Sequence, residues 1–224
     1  MTGWQVGVVR QGVEAQPVVV IDGFAPAAER FVDDASFLSF APMGEHYPGV
    51  RARVPDALLR PLLDDLGPIV ADVFGPGEAA VVDAFYSLVT TPPAALTPIQ
   101  RLPHIDEVSP KRLALLHYLS HDETSGTAFF RHRATGWESL DAARLPAYRA
   151  ALDADIGRHG VPPPGYIAGD TPIFDQVAHH QGRFTRAILY RSNLLHCAAI
   201  PPGMAFAADP ERGRLTVNTF LELR

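Results

Sequence analysis

The feature that most constrains this chain is the interruption of its second half. From Ala79 onward the apolar stretches are short, rich in β-branched and aromatic residues, and cut apart by proline- and glycine-rich turns. Segments of that kind read as strands. Residues 80–90, 112–120, 127–131, 186–193 and 214–223 are predicted strands. Residues 91–98 form a proline-rich loop, and 161–172 form a rigid connector.

The first third differs. Residues 17–22 (Pro-Val-Val-Val-Ile-Asp) predict a short buried strand stopped by Gly23. Residues 26–39 predict a helix. Residues 41–55 hold Pro42, Gly44, Pro48 and Gly49, and so predict a loop, the kind of segment that often carries binding residues. In 56–74, Leu59, Leu62, Leu63, Leu66, Ile69, Val70 and Val73 recur at helical spacing, with Gly67-Pro68 expected to bend or break the helix. A third helix is predicted over 139–159. With helices early and strands late, the pattern predicts an α+β chain around a β-sandwich or barrel. No repeat or linker divides it, so 1–224 is expected to be one domain. Its helical support lies mainly in 26–75, its β core in about 80–224, and a helical insertion in about 132–185.

Composition narrows the partners. The net charge is −6, unfavourable for a nucleic-acid backbone. The single cysteine, Cys197, excludes an intrachain disulfide framework or a cysteine-rich zinc site. Neither a secretory leader nor an apolar run of membrane-spanning length is found, so a cytoplasmic protein without membrane partners is expected. The sequence leaves the oligomeric state open, a homodimer included.

Several residues carry chemistry. His104-Ile105-Asp106 places an imidazole and a carboxylate on one face of an extended segment. With a second histidine, this is the donor set of non-haem iron(II) sites; taken alone, the pair is more often a hydrogen bond in a surface turn. His196 ends an apolar run, where a histidine is either satisfied by a backbone carbonyl or serves as a ligand. In 213–221 the strand puts Arg214, Thr216, Asn218 and Phe220 on one face and Leu215, Val217, Thr219 and Leu221 on the other. Both faces read as buried, so Arg214 requires an anion, from the protein or from a ligand.

Taken in order, these pieces resemble the 2-oxoglutarate/Fe(II)-dependent dioxygenases, nearest their prolyl-4-hydroxylase-like branch. The resemblance rests on His104-Ile105-Asp106, Tyr118-Leu119-Ser120, Gly126-Thr127-Ala128-Phe129-Phe130, His196 and Arg214-Leu215-Thr216, with 17–24 resembling the opening strand. It implies a double-stranded β-helix (jelly-roll) core flanked by N-terminal helices. It implies Fe(II) held by His104, Asp106 and His196, with 2-oxoglutarate and O2 as co-substrates. It also implies that Arg214, Tyr118 and Thr216 bind the keto-acid, and that a small molecule, amino acid or peptide is hydroxylated at an aliphatic carbon with release of succinate and CO2.

Two features depart from the family. His196 and Arg214 stand 18 residues apart, which is longer than usual and makes 201–213 a loop near the site mouth. Arg186 or Arg191 would replace Arg214 under a different alignment. The second departure is the long segment 132–185. Candidate substrate residues are Tyr47 and Arg51, with Glu45, His46 and Arg53 in the same loop, then Arg131, Asn193 and Asn218. Two other classes fit the same residues: a cupin-like metal enzyme that uses no keto-acid, and a non-catalytic β-barrel binding module.

Overall fold

The computed structural model of the chain describes residues 3–121 and 123–224. It opens with a hairpin of β1 (Gln5–Gln11) and β2 (Gln16–Asp22), followed by α1 (Glu29–Ser36), β3 (Ala41–Pro42), β4 (Gly49–Arg53) and α2 (Asp56–Phe74). Then come β5 (Ala79–Val89), β6 (Arg112–Tyr118), β7 (Gly126–His132) and α3 (Leu145–His159). The chain closes with β8 (Phe174–Gln181), β9 (Ala187–Arg191), β10 (His196–Ala199) and β11 (Leu215–Leu223). The strands form an eight-stranded sheet in the order β1-β2-β9-β6-β11-β5-β4-β3 and a three-stranded sheet β10-β7-β8, all paired antiparallel.

The two sheets stack through Ala114, Tyr118, Ile188 and Tyr190 on the large sheet and Phe129 on the small one. The outer face of the large sheet is covered by α1 and α2. Phe31, Val32 and Leu59 pack on Tyr86, Leu88 and Val217, while Leu66, Val70 and Phe74 pack on Leu113, Leu115 and Leu221. On the far side, α3 covers the small sheet, with Tyr148 against Phe130 and Phe174. β11 therefore has helices behind one face and the space between the sheets on the other, which is why both of its faces are buried. Among the described residues no helix is long and apolar enough to cross a membrane.

Several sequence expectations are corrected here. The loop expected over 41–55 contains β3 and β4, which extend the large sheet at one edge. Gly49 makes this pairing feasible, because a Cβ there would stand 1.9 Å from the Leu88 carbonyl oxygen. α2 runs unbroken through Pro61 and Pro68. Each proline removes one helical hydrogen bond, and burial of Leu59, Leu66, Val70 and Phe74 against the sheet offsets that loss. α3 starts at Leu145, after the Asp141 carboxylate accepts the Ala143 and Arg144 N–H groups in a turn.

β1, β8 and β10 were not anticipated. β1 and β8 are polar or exposed along most of their length, so they lack a buried pattern, and pairing with β2 and β7 defines them. Because His132 pairs with Phe174, the excursion between β7 and β8 is 133–173, and the rest of the expected insertion includes a core strand. His196 does not end β9; it opens β10 after a turn through 192–195.

Candidate metal centre

The sheets open at one end onto a cleft of about 390 Å³. Its floor follows from cross-strand register. Arg51, Ser87 and Thr216 lie in one row across β4, β5 and β11. Phe85, Asn218 and Leu116 form the next row, and Asp83, Phe220 and Ala114 the one after it. The face read from sequence as Arg214, Thr216, Asn218 and Phe220 lines the cleft, and the opposite face, through Leu215 and Val217, enters the core.

Across the cleft, His104 and His196 form an isolated antiparallel bridge, each backbone N–H donating to the other's carbonyl at 2.9 Å. Directly opposed residues on paired strands project to the same side, so both imidazoles face the cleft, with ring centroids 4.6 Å apart. The Asp106 N–H donates to the Ser192 carbonyl at 2.9 Å, which ties the third residue to the same turn. Its carboxylate lies 3.8 Å from His104 Nε2 and 3.6 Å from His196 Nε2. One ligand atom from each residue fits within a 4.8 Å span.

At 3.8 Å the His104–Asp106 contact is not a hydrogen bond, which removes the surface-turn reading. His196 Nδ1–H donates to the Leu194 carbonyl at 2.9 Å, which orients the ring with Nε2 toward the cleft. Burial, with His196, His46 and Arg51 nearby, holds His104 well below the usual histidine range and keeps it a neutral donor. Burial pushes Asp106 up, while His196, Arg51 and His46 pull it back down. Two imidazoles and one carboxylate, open on the cleft side, suit a divalent transition metal and leave coordination positions for other ligands.

Arg214 is 5% exposed and reaches the cleft from the start of β11. Its Nε–H donates to Ser125 Oγ at 3.0 Å and Nη2–H to the Gly126 carbonyl at 2.9 Å. Among the described residues no carboxylate pairs with it, so the protein anion that its burial calls for is missing. The alternatives are engaged elsewhere. Arg186 makes a bidentate pair with Asp22 at 2.6 and 2.8 Å, and Arg191 donates to the carbonyls of Pro110 and Phe74.

The other expected residues divide. Tyr47, Arg51, Thr216 and Asn218 line the cleft, as do Glu45 and His46, and the Thr216 hydroxyl donates to Asn218 Oδ1 at 2.7 Å. Tyr118 does not line it. Its ring lies 5.7 Å from the Arg214 guanidinium, and its hydroxyl bonds Thr127, which does line the cleft. Arg131 is outside, paired with Asp175 at 2.9 Å and near Glu138 at 3.7 Å. Asn193 is also outside, in the turn that follows β9. Arg53 pairs with Asp83 at 2.8 Å at the rim. Cys197 lines the cleft, and burial pushes its thiol up to about 12, which makes it an unreactive filler.

Sequence reasoning missed Phe85, Thr127, Tyr166 and Ser125. Alternation along β5 and β7 carries a signal for the first two once register is known. Tyr166 has no such signal: it comes from the connector, donates to the Thr91 carbonyl at 2.7 Å and stacks on Phe206 of the 201–213 loop. That loop therefore backs the cleft wall rather than entering it.

A family model, a family of unknown function termed DUF6445, matches residues 2–221. The chain belongs to DUF6445. No curated protein matches this DUF6445 chain. Solved structures do. HygX from Streptomyces hygroscopicus, with nickel, 2-oxoglutarate and hygromycin B bound, is 12% identical, with a TM-score of 0.53 over 94% of this chain and 84% of that one. SnoN, a non-haem α-ketoglutarate-dependent epimerase from nogalamycin biosynthesis, is 12% identical, with a TM-score of 0.51 over 95% and 78%. An N-substituted L-amino acid dioxygenase from Burkholderia ambifaria is 13% identical, with a TM-score of 0.50 over 99% and 96%. This chain thus shares the fold of these 2-oxoglutarate-dependent non-haem enzymes.

Proposed function

We propose that this DUF6445 chain is a non-haem Fe(II), 2-oxoglutarate-dependent oxygenase. The reading takes its 224 residues as one oxygenase domain on a double-stranded β-helix, nearest the prolyl-4-hydroxylase-like branch by the order of its motifs. One observation carries it: the His104, Asp106 and His196 triad and the buried, acid-free Arg214 open on the same cleft. In a metal enzyme without a keto-acid Arg214 would have only its structural bonds to Ser125 and Gly126; its burial at the triad's cleft with no described carboxylate supports keto-acid binding instead.

Bound Fe(II) supplies O2 activation coupled to decarboxylation of 2-oxoglutarate to succinate and CO2, with oxidation of a substrate C–H bond. His104, Asp106 and His196 hold the metal on one face. Arg214 binds the distal carboxylate of the keto-acid through guanidinium N–H groups not committed to Ser125 and Gly126. Thr216 lies beside it, and Tyr118 acts at one remove by fixing the Thr127 hydroxyl. Phe85, Tyr166 and Tyr190 wall the cleft and limit water at the reacting carbon. Hydroxylation of an aliphatic carbon in a small molecule, amino acid or peptide is the reaction this arrangement supports.

Anaerobic titration of the metal-free protein with Fe(II) and then 2-oxoglutarate tests the reading. A weak visible charge-transfer band that saturates at about one equivalent is expected. Fe(II) binding without that band overturns the keto-acid assignment.

A further inference from the structure

Beside Arg214 the cleft holds a second guanidinium without a described carboxylate partner, Arg51. Arg51 projects into it from β4, and its guanidinium carbon lies 4.1 Å from the Tyr47 ring centroid and 5.6 Å from that of Phe85. Its Nε is buried with no hydrogen-bond partner, and no described carboxylate pairs with it. Two other arginines at the cleft rim are matched, Arg53 with Asp83 and Arg112 with Glu222 at 2.6 Å, while the lining carboxylates Glu45 and Glu107 pair with neither Arg51 nor Arg214. Asp106 is committed to the metal triad. Arg214 and Arg51 are left as separate unmatched guanidinium groups, with Tyr47 in electrostatic reach of both.

Aromatic rings against the Arg51 guanidinium leave its edge as the open approach. An edge with parallel N–H groups accepts a planar carboxylate bidentately. Among the described residues no lysine lines the cleft, and its other unmatched guanidinium, Arg214, is assigned to the keto-acid, so a substrate anion has Arg51 alone. Nearby, Phe85, Leu116 and Phe220 give the floor an apolar character.

We propose that Arg51 anchors the substrate and that the substrate is a monocarboxylate with an apolar body lying between Arg51 and the triad. This rests on the oxygenase reading only for the direction in which the body extends. The test uses Ni(II)-loaded protein with saturating 2-oxoglutarate, and calorimetric titration of 3-phenylpropanoate against 3-phenylpropanamide. The acid is expected to bind at least about tenfold more tightly than the amide. Arg51→Gln should bring the two within about twofold, Arg51→Lys should restore part of the preference, and neither should change 2-oxoglutarate affinity. Arg214→Gln should do the converse, weakening 2-oxoglutarate and leaving the acid preference in place. Equal binding of acid and amide by the wild type, or a preference that survives Arg51→Gln, overturns the anchor. If 2-oxoglutarate fails to bind the wild type while the acid preference still depends on Arg51, the oxygenase reading falls and the anchor stands.

Discussion

His104 and His196 exchange both of their backbone hydrogen bonds at 2.9 Å, although 92 residues separate them in sequence. The two imidazoles are thus presented by a fragment of sheet, not by a free loop. Sites built on paired backbone are positioned more tightly than sites on unpaired segments. Asp106 is brought to them by its bond to Ser192, four residues before His196.

The backbone bridge and the metal donors are separable. His196→Ala keeps the paired N–H and C=O groups and removes one donor of three. Metal affinity should fall by more than about 100-fold, beyond the 10–100-fold cost typical of partners outside the ligand shell. Metal-free wild type and variant should melt within a few degrees of each other. Equilibrium dialysis against Co(II), with circular-dichroism melts of the metal-free proteins, checks both. Asp106→Ala should behave likewise, and unchanged metal binding in either variant would remove the site.

If Arg214 binds the keto-acid as proposed, it trades stability for binding. Its charge is buried with two neutral hydrogen-bond partners and no carboxylate among the described residues, an arrangement that costs free energy in the empty protein. Arg214→Met should leave the metal-free protein as stable as the wild type, or more stable by about 1 kcal/mol. In metal-loaded wild type, 2-oxoglutarate at about 100 times its Kd should add about 2.7 kcal/mol of stability by mass action. The variant should gain almost none at the same concentration. Denaturant melts with and without the keto-acid measure both effects.

Much of this was legible in sequence because β11 alternates cleanly and its two faces meet different environments. The His104-Ile105-Asp106 spacing was legible for the same reason, since period-two geometry fixes which side chains share a side. Arg131 and Asn193 were misplaced because nothing local records their partners: Arg131 turns to Asp175 and Glu138, and Asn193 belongs to the turn joining β9 and β10. β4 was hidden among prolines and glycines because its partner is β5, far along the chain. Arg51 was visible only as a loop arginine, and its lack of a partner is a property of the assembled cleft.

The excluded arginines give a control. Arg186 ties the start of β9 to the end of β2 through Asp22, and this pair holds Asp22 below its usual range. Asp22 is lowered on folding, so the pair supports the fold above the ordinary aspartate range and its support is lost as pH falls through the folded value. Arg186→Gln and Arg191→Gln should each leave 2-oxoglutarate affinity within about twofold of wild type, while Arg186→Gln makes the protein easier to unfold at pH 7. A large loss of keto-acid binding in either would move the co-substrate site away from Arg214.

His117 makes the fold acid-sensitive. It is buried on β6 with its ring edge-on to Phe24 and Phe31, at 5.2 and 5.5 Å, and its Nε2 has no hydrogen-bond partner. Burial alone pulls it down to about 3 from an ordinary 6.5. Between those values the unfolded chain binds a proton that the folded protein excludes, so stability is fully present above pH 6.5 and drains away as pH falls toward 3. The slope for one such group is about 1.4 kcal/mol per pH unit. His104, His132 and His180 are also held low by burial, so the whole-protein profile does not isolate His117. The difference between proteins does. His117→Leu keeps an apolar filler and removes the proton site, so its stability relative to wild type should rise by about 1.4 kcal/mol for each pH unit from 6 to 5. Urea melts of both proteins at pH 8, 7, 6 and 5 measure it. A difference that stays constant across that range would mean that folding does not shift the titration of His117.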